Sequence, residues 1–224
     1  MEPGINKLIT RIVIELDNQK DSGWFFDVGA NVGLYSWEVC KVSPHRKILA
    51  FEPDPENIIL FEKTLNGANF QNVEICKCAL SNQLAEVSFF QDNLTSATGC
   101  VAGKDKPWIE QYLNGSANEI RVKTETLDSI LRKDRTPSLI KIDVEGHEVE
   151  VLQGARNTIR EAKPMMIIES FPPKQSTVLS LLHELGYRSM DADHHTSINP
   201  KTTNLFAWHP QGPLNKATIQ KLIN

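Results

Sequence analysis

Phe25-Phe26-Asp27-Val28-Gly29-Ala30-Asn31-Val32-Gly33 is the stretch that decides the fold. An apolar run meets an acid and then a turn built on two glycines. A helix-like segment follows, and a second apolar run ends at Phe51-Glu52-Pro53. Strand, tight loop, helix and strand make one nucleotide-binding half of an open α/β sheet.

The glycine spacing narrows the nucleotide. A pyrophosphate cradle uses G-x-G-x-x-G, whose bare backbone wraps two phosphates at a helix N-terminus. Here the loop reads G-A-N-V-G, and Asp27 stands two residues before the first glycine. A carboxylate there repels a pyrophosphate and suits a ligand carrying positive charge, such as an ammonium or a sulfonium. Glu52, at the end of the second strand, is placed to accept both ribose hydroxyls. An adenosine with a cationic tail and no phosphate is S-adenosyl-L-methionine, the cofactor these two acids predict.

Composition sets the outer bounds. A chain of 224 residues is one domain or slightly more. Its 40% of hydrophobic residues suffices for a full core, and no stretch reaches membrane-spanning length. The apolar residues between 5 and 16 are interrupted by Asn6, Lys7, Arg11 and Glu15 with no small-residue cleavage site after them. No signal peptide is therefore expected, and the expected location is cytoplasmic. The net charge of −4 comes without a block of basic residues, which argues against nucleic acid as a partner. Cys40, Cys76, Cys78 and Cys100 fit no zinc spacing and are expected as reduced thiols.

Periodicity supplies the other elements. Apolar residues at 5, 8, 9, 12, 13 and 16 predict an amphipathic helix over 4–19. Strands are expected at 24–28, 47–51, 73–80, 86–91, 120–124, 139–144, 164–169, 187–190 and 204–208. Helices are expected at 33–40, 127–133, 148–162 and 176–185. Asp54 and Pro55, as cap and first residue, open a further helix to about Asn66. Residues 92–118 are the least regular part and are expected to form a substrate lid. The alternation of strands and helices predicts an α/β fold with a mostly parallel sheet. Its expected organisation is a docked N-terminal helix (1–22), one domain (23–210) carrying the variable loop 92–118, and a C-terminal tail (211–224).

In such sheets, ligands bind at the carboxyl ends of the strands near the switch in strand order. Asp27, Glu52, Asp143 and Glu169 all fall at such ends. Gly29 and Gly33 permit close backbone approach, and Asn31 is expected to order the loop through side-chain-to-backbone bonds. A second signal is Leu139-Ile140-Lys141-Ile142-Asp143-Val144-Glu145-Gly146-His147-Glu148. Capping of the following helix competes with chemistry for Asp143 and Glu145, and a surface position competes with catalysis for His147. Lys141, between two isoleucines, must snorkel or meet an acid.

These motifs resemble the FkbM family of S-adenosylmethionine-dependent methyltransferases. The resemblance is carried by D-V-G-A-N-V-G-L-Y-S (27–36), F-E-P-D-P-E-N (51–57), A-L-S (79–81), and I-K-I-D-V-E-G-H-E with V-L-x-G-A (140–155). It implies a Rossmann-like class I methyltransferase fold: a seven-stranded, mostly parallel sheet with an antiparallel last strand and helices on both faces. It implies cofactor contacts at Asp27, Gly29, Asn31, Gly33, Tyr35, Ser36, Glu52, Pro53, Ala79, Leu80 and Asp143. It also implies O-methylation of a small-molecule or glycan acceptor: a sugar, a glycoside or glycolipid, or a polyketide-type natural product.

A sugar hydroxyl is a poor nucleophile and needs a base or a metal to take its proton. Asp143, with Glu145 or His147, is the expected base. A magnesium or manganese ion held by Asp143, Glu145 and Glu169 is the variant. The rivals are a binding module of the same fold without catalysis, a nicotinamide-dependent oxidoreductase and an aminopropyl transferase. The missing G-x-G-x-x-G and the presence of Asp27 count against the oxidoreductase.

Overall fold

The computed structural model describes residues 3–92, 99–101 and 117–223. In chain order its elements begin with α1 (Pro3–Asn18), β1 (Trp24–Val28), α2 (Leu34–Val42), β2 (Ile48–Phe51), α3 (Pro55–Ala68), β3 (Val73–Cys76) and β4 (Ala79–Leu80). There follow β5 (Ala85–Asp92), β6 (Gly99–Val101), β7 (Ala117–Glu125), α4 (Leu127–Ile130), β8 (Pro137–Ile142), α5 (Glu148–Gly154) and α6 (Arg156–Ala162). The chain closes with β9 (Met165–Glu169), α7 (Gln175–Glu184), β10 (Arg188–Asp191), β11 (Asn204–Trp208) and α8 (Lys216–Ile223).

All five residues of β1 are buried, as a parallel strand covered on both faces requires. It pairs in parallel with β2 and β8. The sheet of seven strands runs β10-β11-β9-β8-β1-β2-β3, with β11 antiparallel to both its neighbours. This is the mostly parallel sheet that the alternation of elements predicts, with the antiparallel last strand that the family resemblance implies. Side chains alternate across it. Phe25, Leu139, Ile167 and Phe206 join Ile5, Leu8, Ile9, Ile12 and Leu16 of α1 on one face. Phe26, Ile140 and Met166 join Val151, Leu152, Ile159 and Leu182 on the other. Each large side chain buried this way contributes about 1.5–3 kcal/mol.

Several elements differ from the sequence expectation. Residues 73–80 are not one strand. Cys78 N–H donates to Cys76 O at 2.9 Å, a three-residue turn. It ends the pairing of β3 with β2 and starts that of β4 with β7. The helix expected over 148–162 divides into α5 and α6. Asp128, far away in the chain, accepts from Asn157 N and Thr158 N at 2.9 and 2.8 Å and so caps α6. Gly154, at the end of α5, lies so close to β4 that a Cβ there would stand 1.9 Å from Ser81 O.

A second sheet, β4-β7-β5-β6, includes residues 99–101 of the stretch expected to be irregular. Residues 93–98 and 102–116, part of the expected lid, lie outside the described residues. Residues 216–223 of the expected tail form α8, joined to α1 by Arg11 Nη2 on Lys221 O (2.5 Å) and to the turn after α1 by Gln19 Nε2 on Thr218 Oγ1 (3.0 Å). Cys40, Cys76 and Cys78 are free thiols. Among the described residues no helix is long and apolar enough to cross a membrane.

Candidate active site

Strand order reverses between β1 and β8, and a cleft opens there at the carboxyl ends of the strands, where ligands of open α/β sheets bind. It holds about 740 Å³ of empty space, counting the part open to solvent. One wall is apolar, formed by Phe51, Ala79, Leu80, Phe89 and Val101. The other is acidic, with Glu52, Asp143, Glu145 and Glu169.

The floor is the turn after β1. Gly29 has φ +76°, and a Cβ there would stand 1.8 Å from Asp143 O, so only glycine lets the β1 and β8 loops meet. Asn31 also adopts a left-handed conformation, φ 53°, and its Oδ1 accepts from Val32 N at 2.7 Å, a local bond that favours this geometry. Asn31 N–H donates to Glu52 Oε2 (2.7 Å), and Asp54 N–H to Glu52 Oε1 (2.8 Å). These two bonds, with a hydrogen bond from the Asn57 side chain, fix the carboxyl. Burial pushes the Glu52 pKa up to about 7. Asp54 accepts from Glu56 N and caps α3, so the turn that aims Glu52 also starts the helix.

Asp27 does not reach the cleft. It is 1% exposed, and its Oδ2 accepts from Ser36 N (3.0 Å) and Ser36 Oγ (2.7 Å). The acid expected to face a cationic ligand ties β1 to the first turn of α2. Burial holds its pKa up at about 6, against the pull of Ser36 and Lys141. Gly33, Tyr35 and Ser36 also stand behind the lining, whereas Gly29, Asn31, Glu52, Pro53, Ala79, Leu80 and Asp143 form part of it.

Sequence reasoning missed Asn57 as a separate site residue. It is buried, lines the cleft, and its Oδ1 has no hydrogen-bond partner among the described residues. The available signal was its place at the end of F-E-P-D-P-E-N, one turn into α3 beside Glu52. Phe89 and Val101 were missed because the second sheet brings them in.

The acids of the other wall form one cluster. Lys141 Nζ donates to Asp143 Oδ2 at 3.1 Å. Burial pushes the Asp143 pKa upward, but Lys141 and a hydrogen bond with Glu169 outweigh it and hold the group below its ordinary value. Glu169 is the protonated partner, pushed up to about 9 by burial and by Asp143. Glu145 is lifted to about 7 by burial and then by Asp143 and Glu148. Its backbone is left-handed, φ 49°, a conformation that concentrates at functional sites. Among the described residues, no three His, Cys, Asp or Glu side chains are placed to hold a metal ion.

His147 lines the cleft, but both ring nitrogens have neighbours. Nε2 lies 2.9 Å from Ser81 Oγ and Nδ1 lies 3.6 Å from Glu150 Oε2. Burial lowers its pKa. The loop around it is pinned by Gly146 N–H on Glu148 Oε1 (2.6 Å) and by Lys174 Nζ on Gly146 O (2.7 Å).

Residues 27–189 match the model of the methyltransferase FkbM domain. The chain belongs to the FkbM methyltransferase family. Among its relatives, "Methyltransferase sdnD" of Sordaria araneosa is 27% identical, the match covering 81% of this chain and 80% of that one. "Hexuronic acid methyltransferase AglP" of Haloferax volcanii is 26% identical, covering 76% of this chain and 66% of that one. Of the solved structures, an FkbM methyltransferase from Methylobacillus flagellatus superposes with a TM-score of 0.56 at 19% identity. That match covers 84% of this chain and 44% of the other, so the chain spans less than half the length of that structure.

Proposed function

We propose that the protein is an S-adenosyl-L-methionine-dependent O-methyltransferase acting on a hydroxyl of a sugar, a glycoside or a related natural product. The observation that carries this reading is Glu145: a carboxyl at the cleft with a pKa near 7, suited to taking a proton at neutral pH.

The residues fit the cofactor. Asn57 Oδ1 is an orphaned buried acceptor of the kind that a ribose hydroxyl satisfies. Glu52 beside it, also hydrogen-bonded by the Asn57 side chain, keeps acceptor capacity for a hydroxyl donor. Ala79, Leu80 and Phe89 offer an apolar wall for adenine. The turn at Gly29 and the Asp143 carboxylate take the amino-acid end. When bound, the cofactor supplies a methyl group already activated by a sulfonium, so the protein's tasks are alignment, exclusion of water and removal of a proton.

The three base candidates separate by their partners. Asp143 is held ionised by Lys141, which makes it a weak base. His147 Nε2 is engaged by Ser81 Oγ and burial lowers its pKa, so its role is to tie the loop after β8 to Ser81. Glu145 takes no hydrogen bond on its carboxyl among the described residues. It takes the hydroxyl proton as the acceptor oxygen bonds to the methyl carbon and the carbon–sulfur bond breaks.

The name of the Haloferax volcanii relative makes sugar acids the first acceptors to screen. The test is Glu145→Gln, with turnover and S-adenosylhomocysteine affinity measured side by side. Turnover should fall about 100-fold or more, the usual scale for a general base, with affinity nearly unchanged. Full turnover in the variant removes Glu145 as the base. A wild-type protein that binds S-adenosylhomocysteine but methylates nothing supports a non-catalytic binding module, and one that binds NAD instead overturns the reading.

A further inference from the structure

Lys141 is the cluster's unexplained member. It sits inside β8, 1% exposed, registered with Asp27 of β1 and Ile167 of β9. Leu139, two residues earlier, lies in the core beneath α1, and strand alternation puts Lys141 on the same face. Its ammonium lies 5.3 Å from the Tyr35 ring of α2. A position between two isoleucines in a central parallel strand suits a β-branched apolar residue. A buried ammonium there is retained only against matched negative charge.

That charge comes from every side. Asp143 at the end of the same strand takes the hydrogen bond. Asp27 of β1, Glu169 of β9 and Glu145 of the following loop each feel the ammonium. A magnesium or manganese ion needs at least one or two ionised carboxylates free to turn toward it. Here one Asp143 oxygen faces an ammonium, and Glu169 carries the proton of its hydrogen bond to Asp143.

We propose that Lys141 is the positioning residue of this site: it holds Asp143 ionised and aimed at the cleft, and it fills the place beside that carboxylate which a divalent cation would need. The use to which Asp143 is put rests on the methyl-transfer reading. The filled cation seat does not.

Two measurements test the two halves. In the first, Mn²⁺ is titrated into the wild-type protein and followed by electron paramagnetic resonance. The free-ion signal should be undiminished. Stoichiometric binding that disappears in Asp143→Asn overturns the filled seat. This arm needs only the wild type and stands even if a Lys141 variant fails to fold.

In the second, S-adenosylhomocysteine affinity is followed against pH for the wild type, Lys141→Met and Lys141→Arg. Removing the ammonium should let Asp143 take up its proton at higher pH. The acid-side loss of binding then moves up by about one pH unit in Lys141→Met, about tenfold weaker binding on that limb relative to its own plateau. Lys141→Arg should keep the limb where the wild type has it. A folded Lys141→Met with an unmoved limb gives the lysine a purely structural role and overturns the positioning. If the wild type binds no S-adenosylhomocysteine at any pH, the methyl-transfer reading fails, and the Mn²⁺ titration alone decides the cation seat.

Discussion

Glu52 makes the stability of the ligand-free protein depend on pH in a direction that can be worked out in advance. Its pKa is raised by burial from 4.5 to about 7. Between those values the folded protein keeps a proton that the unfolded chain has lost, so unfolding becomes easier as pH rises. The stabilisation is fully present below the unfolded value and is gone above the folded one. The rise is worth about 3 kcal/mol at 1.36 kcal/mol per pH unit, or about 6–12 °C in the midpoint for a chain of this size. The perturbation is Glu52→Gln, and the assay is thermal unfolding without ligand at about pH 5 and pH 7.5. His147 and His209, both lowered by burial, act in the opposite sense below their ordinary value. The quantity to read is therefore the difference in slope between variant and wild type. Glutamine presents one acceptor oxygen to the two N–H groups of Asn31 and Asp54, a loss that offsets the variant's stability by the same amount at every pH. That changes the level, not the slope. Equal slopes in the two proteins would falsify the argument that burial of Glu52 outweighs its hydrogen bonds.

Asn57→Ala should weaken S-adenosylhomocysteine binding by about three- to tenfold, the worth of one neutral hydrogen bond; an unchanged dissociation constant in calorimetry removes it from the ribose side. Gly29→Ala forces a side chain into a left-handed turn, at a cost of about 1–2 kcal/mol, and drives a Cβ against Asp143 O. It should abolish cofactor binding while circular dichroism still reports a folded sheet, and wild-type affinity would show that the β1 and β8 loops have room to part. Finally, near pH 7 the binding of S-adenosylhomocysteine should take up more protons than that of S-adenosylmethionine, measured calorimetrically in buffers of different ionisation heat. Glu145→Gln should remove the difference, and equal uptake in the wild type would sink the assignment of Glu145.

The fold was legible because its central signals are local. The apolar runs around Phe25 and Ile140 and the two glycines of the first turn stand in short windows, and parallel strands buried on both faces read as continuous apolar runs. What was not legible depends on distant pairing. The split of α5 from α6 is set by Asp128, outside the window of that helix. The second sheet joins β5 to β7 across most of the 92–118 stretch, where neither partner announces the other. At the site, strand ends told which acids gather, but not which way each one turns. Asp27 and Glu52 look alike in sequence, each an acid closing an apolar run. The hydroxyl of Ser36 draws Asp27 away from the cleft, while two backbone N–H groups fix Glu52 at its wall.

The acidic wall is best understood through its charge. Asp143, Glu145 and Glu169 around one ammonium would be strongly self-repelling if all three were ionised in a poorly solvated cleft. The cluster avoids this by protonating Glu169 and holding Glu145 near neutrality, while Lys141 offsets Asp143. Of these three carboxyls, Glu145 is the one that changes state readily near pH 7. In the proposed reaction a sulfonium loses its positive charge as a hydroxyl proton is released. If Glu145 takes that proton, one negative charge disappears with the positive one, and the net charge of the cleft is the same before and after transfer. An environment that solvates charge poorly favours such a balanced step over one that leaves a new charge behind. The same reasoning explains why the cation of the cluster is a lysine. Its single fixed charge offsets one acid, whereas a divalent ion would pull Glu145 and Glu169 into full ionisation and leave no group poised to accept the proton.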